Sequence, residues 1–282
     1  MSAPTSLSGE RLAFGQGIPG RLIGLTVAIL LVRVAAAMLI PLGPDEAYYR
    51  AWASAPALGY YDHPPMIAWW IWLGERIAGT GSLGVRLLPI LSAAASTFIV
   101  FDLARLGGLG ECIASRAAIW WNAALLIGFG GFLAVPDAPA SLFWTLSLWS
   151  ALKALGTLGA PGGLRGAARA WWIGAGAAAG LATISKYSGL FLAPGLLLWL
   201  ACDPKGRRAL ASPWPWIAAA CALAIFSLNL GWNAEHHWES FSRPVGRVAP
   251  HRFAPRFLPE IVLGQIGLLN PLIALVLGLS IA

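Results

Sequence analysis

Long, sparsely charged apolar runs recur along the whole chain, at about 22–41, 86–105, 113–130, 138–155, 170–185, 188–202, 213–231 and 258–280. A helix needs roughly 20 mostly apolar residues to cross the hydrocarbon of a bilayer. Inside lipid every backbone N–H and C=O must find an internal partner, so only helices and closed barrels span it. The runs show no strand alternation, and helices are therefore expected. Charged residues make up 11% of the 282, against about 25% in soluble domains, which excludes a soluble globular chain. The expected fold is all-α: a polytopic membrane helical bundle of about eight transmembrane helices. Residues 1–21 read as a polar cytoplasmic arm and 22–282 as one transmembrane domain. The first run is too long for a signal-peptide core. The stop soon after the eighth run reads as a C-terminal truncation.

The formal charge of +7 is scattered between the runs with no continuous basic stripe, so it argues against a nucleic-acid partner. It suits loops that meet anionic membrane lipids or a phosphate-bearing lipid. Arg21, Arg105, Arg116, Lys153, Arg165, Arg169, Lys205, Arg207 and Arg208 share one side if the N-terminus is cytoplasmic. The loop 42–85, Asp137, Lys186 and the loop 232–257 then face outside. That second loop holds Arg243, Arg247, Arg252 and Arg256 against the positive-inside rule. An anionic ligand answers this, and so does pairing with headgroups or acidic residues. Cys112, Cys202 and Cys221 have no metal or disulfide spacing.

The stretch Pro44–Pro65 is the polar island in this pattern, with three of twelve acidic residues and four of five tyrosines. Two juxtamembrane helices are expected in the first outer loop, over Ala47–Ala55 and Met66–Ala78. Asp45 stands near the first N-cap, and Pro64-Pro65 opens the second helix. Asp45 and Glu46 either stabilise a helix N-terminus or act as catalytic carboxylates. Asp137, between prolines in Val-Pro-Asp-Ala-Pro, either starts a helix or brings a further carboxylate to the same site. In Tyr60-Tyr61-Asp62-His63 the last two residues can cap a helix, bond a sugar hydroxyl, or hold a divalent cation with His236 and His237. An Asp-His pair alone is too few ligands for a stable metal site. Lys186 and Tyr187 either hold a phosphate at the membrane surface or snorkel there. Arg33, inside the first run, either snorkels or faces a polar cavity, and snorkelling is the expectation.

Gly-Pro-Asp-Glu-Ala-Tyr-Tyr from Gly43 and Leu-Gly-Tyr-Tyr-Asp-His-Pro-Pro-Met-Ile-Ala-Trp from Leu58 resemble a known group in combination. Pro-Asp-Ala-Pro from Pro136, Gly180–Gly189, Trp232–Phe241 and Gln265–Pro271 extend the match. The group is the bacterial membrane glycosyltransferases of families 39 and 83, protein O-mannosyltransferase-like and aminoarabinose-transferase-like, with the GT-C fold. The resemblance implies transfer of a sugar from a polyprenyl-phosphate-linked donor to a hydroxyl acceptor (protein, lipid or glycan). It implies a bacterial inner membrane and a periplasmic site. It casts Asp45, Glu46 and Asp137 as catalytic, with Asp45 as base or acceptor-positioning group. Asp62 and His63 stand where relatives carry an acidic-basic pair before Pro-Pro, proposed to touch metal or phosphate. Tyr60, Tyr61, Lys186, Tyr187, Arg243 and Arg247 are the remaining substrate or phosphate ligands. The alternative is a transporter or flippase, which would need charges along a midplane path; here the polar residues gather at one face.

Overall fold

The computed structural model describes residues 17–156, 165–242, 257–271, 273 and 275. Among these residues the chain is helical, with no strand. Helix α1 (Gly20–Leu39) is followed by two short helices, α2 (Pro44–Ala53) and α3 (Met66–Ala78). The bounds of α3 match the expectation, since Pro64-Pro65 stops any earlier start and Gly79, at φ +81°, ends it. Then come α4 (Ser82–Leu106), α5 (Glu111–Ala123), α6 (Leu125–Gly128), α7 (Asp137–Gly156) and α8 (Arg165–Thr183). A 3₁₀ turn (Tyr187–Phe191) leads into α9 (Leu192–Cys202), α10 (Pro204–Leu210), α11 (Trp214–Glu235) and α12 (Leu258–Leu269).

Among the described residues α1, α4 and α11 are long and apolar enough to cross a membrane. The pair α5–α6, bent by 71°, is a fourth if taken as one span. The expected bundle of about eight helices therefore includes several whose length and composition alone do not mark them as spans. Helices α7 and α8 have 20 and 19 residues, but Ser, Gly and Trp dilute their apolarity. Helix α9 has only 11 residues. The chain is a multi-pass helical membrane bundle in which the interior helices are the less greasy ones. That follows from packing in lipid, where small residues bring backbones together because apolar area alone gives no drive. Gly176 and Gly180 of α8 lie against the backbone of α11 at Ala218 and Ala222, where a Cβ would collide. The Ser147 hydroxyl donates to Ala175 O at 2.9 Å across α7 and α8.

Arg33 corrects the sequence reading. It does not snorkel: it is 5% exposed and donates to Ile127 O at 2.8 Å and Gly128 O at 3.1 Å. These carbonyls belong to the break in α5–α6, where the helix ladder is interrupted and acceptors are left over. The guanidinium satisfies them.

Candidate functional site

One end of the bundle gathers the polar island and the turns that meet it. Helix α2 opens with Pro44 at its first position, where the missing N–H costs nothing. Successive residues on a helix point about 100° apart, and Asp45 and Glu46 diverge accordingly. Glu46 turns inward. It is 1% exposed, and the Arg86 it meets is 0% exposed. Arg86 donates Nε to Glu46 Oε1 at 2.7 Å and Nη2 to Oε2 at 2.5 Å. The backbone N–H groups of Gly43 and Ala134 also donate to Glu46, at 2.9 and 3.0 Å. Arg86 also donates to Ile40 O and Pro41 O, at 2.7 and 2.9 Å. One ion pair thus ties the end of α1, helix α2, helix α4 and the turn before α7. Burial alone would raise the Glu46 carboxyl. The bonds from Arg86, Gly43 and Ala134, with the Arg86 charge, outweigh it and hold that carboxyl below its usual range.

Asp45 turns outward. It is exposed and makes no hydrogen bond or ion pair among the described residues. Asp137 is the first residue of α7. Lys186, between α8 and the 3₁₀ turn, bonds it from Nζ to Oδ1 at 2.6 Å, with both side chains about one-third exposed at 36% and 35%. Two residues earlier, Ile184 O accepts from Met66 N at 3.1 Å, which fastens the Lys186 turn to the start of α3. The Tyr48 hydroxyl donates to Asp62 Oδ2 at 2.8 Å. Tyr49 reports how these parts converge. Burial pushes its hydroxyl up to about 12, and the negative charges of Asp45, Asp137 and Asp62 push the same way. Three carboxylates from three separate segments therefore act on one hydroxyl.

The other sequence candidates have mixed fates. The Tyr60 hydroxyl accepts from Ala57 N at 3.0 Å and lies 3.1 Å from the carbonyls of Trp52 and Ala55; its ring is stacked on Trp52. It latches the loop. Tyr61 is 49% exposed. His63 sets its ring edge-on to Tyr49, and its carbonyl accepts from Tyr60 N. The Tyr187 hydroxyl donates to Asn229 Oδ1 at 3.1 Å and its ring stacks on Phe241. Arg243 and Arg247 lie outside the described residues.

The described residues do not build an all-protein metal cage. Among them no three His, Cys, Asp or Glu side chains are gathered as ligands, where a structural zinc takes four. Asp62, His63, His236 and His237 do not form one site. The His236 ring lies flat on Trp232 with centroids 4.0 Å apart, and its Nδ1 is 2.7 Å from Trp232 O. Left-handed backbone at His237 and Trp238 then turns the chain after α11.

The sequence reading missed Arg86, Asn229 and Asn233. The two asparagines are fully buried. Asn229 donates to Leu58 O at 2.9 Å, and Asn233 donates to Asn229 O at 2.9 Å. Asn229 fastens α11 to the polar island, and Asn233 braces Asn229 from the next turn. Two amides four residues apart in an apolar run share one helix face, a signal that was available.

The family described as dolichyl-phosphate-mannose-protein mannosyltransferase matches residues 62–232. Lipid A galacturonosyltransferase RgtD of Rhizobium johnstonii is 32% identical over 198 residues, covering 68% of this chain and 38% of that protein. The undecaprenyl phosphate-alpha-4-amino-4-deoxy-L-arabinose arabinosyl transferase of Pseudomonas aeruginosa is 28% identical over 198 residues, covering 62% and 33%. The matched region thus spans about a third of the length of these relatives. Among solved structures, ArnT from Cupriavidus metallidurans superposes in its apo state with a TM-score of 0.65 at 21% identity. The same protein bound to undecaprenyl phosphate gives 0.62. Each superposition covers 89% of this chain and 49% of that one, and the two chains share the GT-C fold.

Proposed function

The chain belongs to the dolichyl-phosphate-mannose-protein mannosyltransferase family, and on that premise we propose that it moves a sugar from a polyprenyl-phosphate-linked donor to a hydroxyl acceptor. The reaction belongs at the end of the bundle that holds Asp45, Asp137 and Lys186. The Asp137–Lys186 pair supports this most directly: its lysine stands 2.6 Å from a helix-start carboxylate, in the turn that Met66 N fastens to the polar island through Ile184 O. A relative named for an undecaprenyl-phosphate-linked sugar supports a polyprenyl donor.

Transfer needs a proton acceptor for the attacking hydroxyl and positive charge for the departing phosphate. Asp45 takes the first role, because its carboxylate is exposed and uncommitted among the described residues. Lys186 takes the second. An ammonium has three donors; Asp137 engages Nζ, which leaves others for phosphate oxygens. The acceptor oxygen bonds to the anomeric carbon on the face opposite the phosphate. The bond from that carbon to the phosphate oxygen breaks, its electron pair leaves on the phosphate, and the hydroxyl proton passes to Asp45. Configuration inverts. Glu46 is left out of this chemistry, since both its oxygens are buried and bonded. No step is assigned to a metal.

The scatter of basic residues supports a cytoplasmic N-terminal arm over 1–21 and a site on the periplasmic side of a bacterial inner membrane. Arg243 and Arg247 of the outer loop 232–257 stand as further phosphate partners. Purified protein given a labelled polyprenyl-phosphate sugar tests the base. Asp45→Asn is expected to bind donor as the parent does and to transfer about 10²–10⁴-fold more slowly. Parent-rate transfer by a folded Asp45→Asn protein removes the assignment.

A further inference from the structure

Helices α7, α8 and α11 each have one end at the polar island. Helix α7 begins at Asp137, α8 leads to Lys186, and α11 reaches Leu58 O through Asn229. They have 20, 19 and 22 residues, so their other ends lie about 30 Å away. There α10 closes the bundle between α9 and α11. Asp203 caps α10, its Oδ2 accepting from Gly206 N at 2.6 Å. Gly206 and Ala209 face inward and are buried; a Cβ on Gly206 would collide with the Leu200 backbone. The outer face carries Lys205 and Arg208, both exposed and neighbours by their spacing of three.

The charges at this end divide into committed and uncommitted. Lys153 pairs with Asp102 at 3.1 Å. Arg207 donates to Ala201 O and Cys202 O at 3.1 and 3.3 Å, carbonyls left over at the end of α9. Asp203 is spent on the cap. Arg169 lies over the Trp214 ring, 5.0 Å from its centroid. Lys205 and Arg208 make no hydrogen bond or ion pair among the described residues. Scattered cations can satisfy the positive-inside rule without forming a site. Here a capped helix, seated on the core, holds two like charges side by side, which repel and call for an anion from outside the chain.

The surroundings say what carries that anion. Trp216 is 55% exposed and its Nε1 donates to Leu210 O at 3.0 Å; indoles of this kind stand at headgroup level. Leu197 and Leu198 of α9 and Ile217 of α11 are exposed on the adjoining turns. That apolar surface suits acyl chains and does not suit an acidic protein. A phospholipid brings both parts: anionic phosphate oxygens for an ammonium and a guanidinium, and chains for the leucines.

We propose that α10 is a binding site for an anionic phospholipid, whose phosphate is held by Lys205 and Arg208 at the end of the bundle opposite Asp45. The site is independent of the transferase reading and binds in the other leaflet. It pins the start of α11, so that one helix carries a headgroup contact at one end and the Asn229 bond to the polar island at the other.

Native mass spectrometry of the full chain, released from a non-ionic detergent, tests it by titration with phosphatidylglycerol or with phosphatidylcholine. The expected result is saturable binding of phosphatidylglycerol, tighter than that of phosphatidylcholine. Lys205→Gln with Arg208→Gln should weaken it at least tenfold, and the charge-keeping pair Lys205→Arg with Arg208→Lys should restore it. Arg105→Gln with Arg116→Gln, which removes two other cations of the same side, should leave it unchanged within about twofold, since charge alone is not the site. Equal loss in the two glutamine pairs overturns the proposal, as does phosphatidylcholine bound as tightly as phosphatidylglycerol. Displacement of the lipid by a polyglutamate peptide overturns the lipid assignment. If the Lys205→Gln, Arg208→Gln protein fails to fold, the parent decides: binding of phosphatidylglycerol that does not weaken between about 50 and about 500 mM ammonium acetate overturns a charge-held headgroup.

Discussion

Replacing Glu46 with glutamine isolates the one carboxylate that the bundle buries. In the parent, Arg86 and the N–H groups of Gly43 and Ala134 direct donors at both Glu46 oxygens. The amide keeps one acceptor and turns an NH₂ into the remaining donors. Arg86 still reaches Ile40 O and Pro41 O, but its charge has lost its partner in a fully buried position. Breaking one side of a buried pair costs about 3–5 kcal/mol. In a chain of this size each kcal/mol lowers Tm by about 2–4 °C, so a drop of about 6–20 °C is expected. Glu75→Gln is the control. It breaks the Arg50–Glu75 pair, whose arginine side chain is 40% exposed, and such pairs are worth about 0–1 kcal/mol.

Thermal unfolding followed by size-exclusion in detergent reads both variants, and a pH series adds a second test. The Glu46 carboxyl is held below its usual range, so the unfolded chain takes up its proton first as pH falls. Its contribution is complete above the usual carboxylate value of about 4.3. It is lost as pH falls through the folded value. The gap between parent and Glu46→Gln should therefore narrow on acidification below about pH 4. A Glu46→Gln protein no less stable than Glu75→Gln would refute the clamp.

Lys186→Ala should weaken undecaprenyl phosphate binding at least tenfold, the loss of about 1.4 kcal/mol of charge-assisted bonding, and Lys186→Arg should recover part of it in the same assay. Arg33→Leu should cost about 1–3 kcal/mol of stability by orphaning the carbonyls of Ile127 and Gly128, read as a lowered Tm. Gly59→Ala drives a methyl into Trp232; overpacking of that kind costs about 1–3 kcal/mol, and the melt should fall with a changed tryptophan emission.

The legible parts of the chain were those set by local chemistry. Proline before Met66 and glycine after Ala78 bound α3 without help from the rest of the fold. The prolines beside Asp137 place it at a helix start, and it is the first residue of α7. The illegible parts depend on distant partners. Arg33 was assigned by depth alone, and depth favours snorkelling. Its true partners are 94 and 95 residues away, at a helix break that the uniform apolarity of 113–130 concealed. Arg86 stood at the edge of an apolar run and looked like a span boundary. Its partner is 40 residues earlier, beyond any local pattern.

Asp45 and Glu46 pose the sharper problem, since adjacent carboxylates at a helix N-terminus share the same local chemistry. Only the direction of each side chain separates them. A turn of about 100° per residue sends one into the bundle and leaves the other at the surface. Inside, a carboxylate is tolerable only when paired, so Glu46 is committed to Arg86 and unavailable to a reacting proton. That commitment has a use. The same bonds hold the end of α1, the start of α2 and Ala134 together, and Ala134 lies three residues before Asp137. The clamp therefore fixes where Asp45 stands relative to the Asp137–Lys186 pair. Proximity helps only when the reacting groups are held in register. If Asp45 is the base and Lys186 holds the phosphate, as proposed, the second carboxylate serves that chemistry by holding the first in place rather than by reacting.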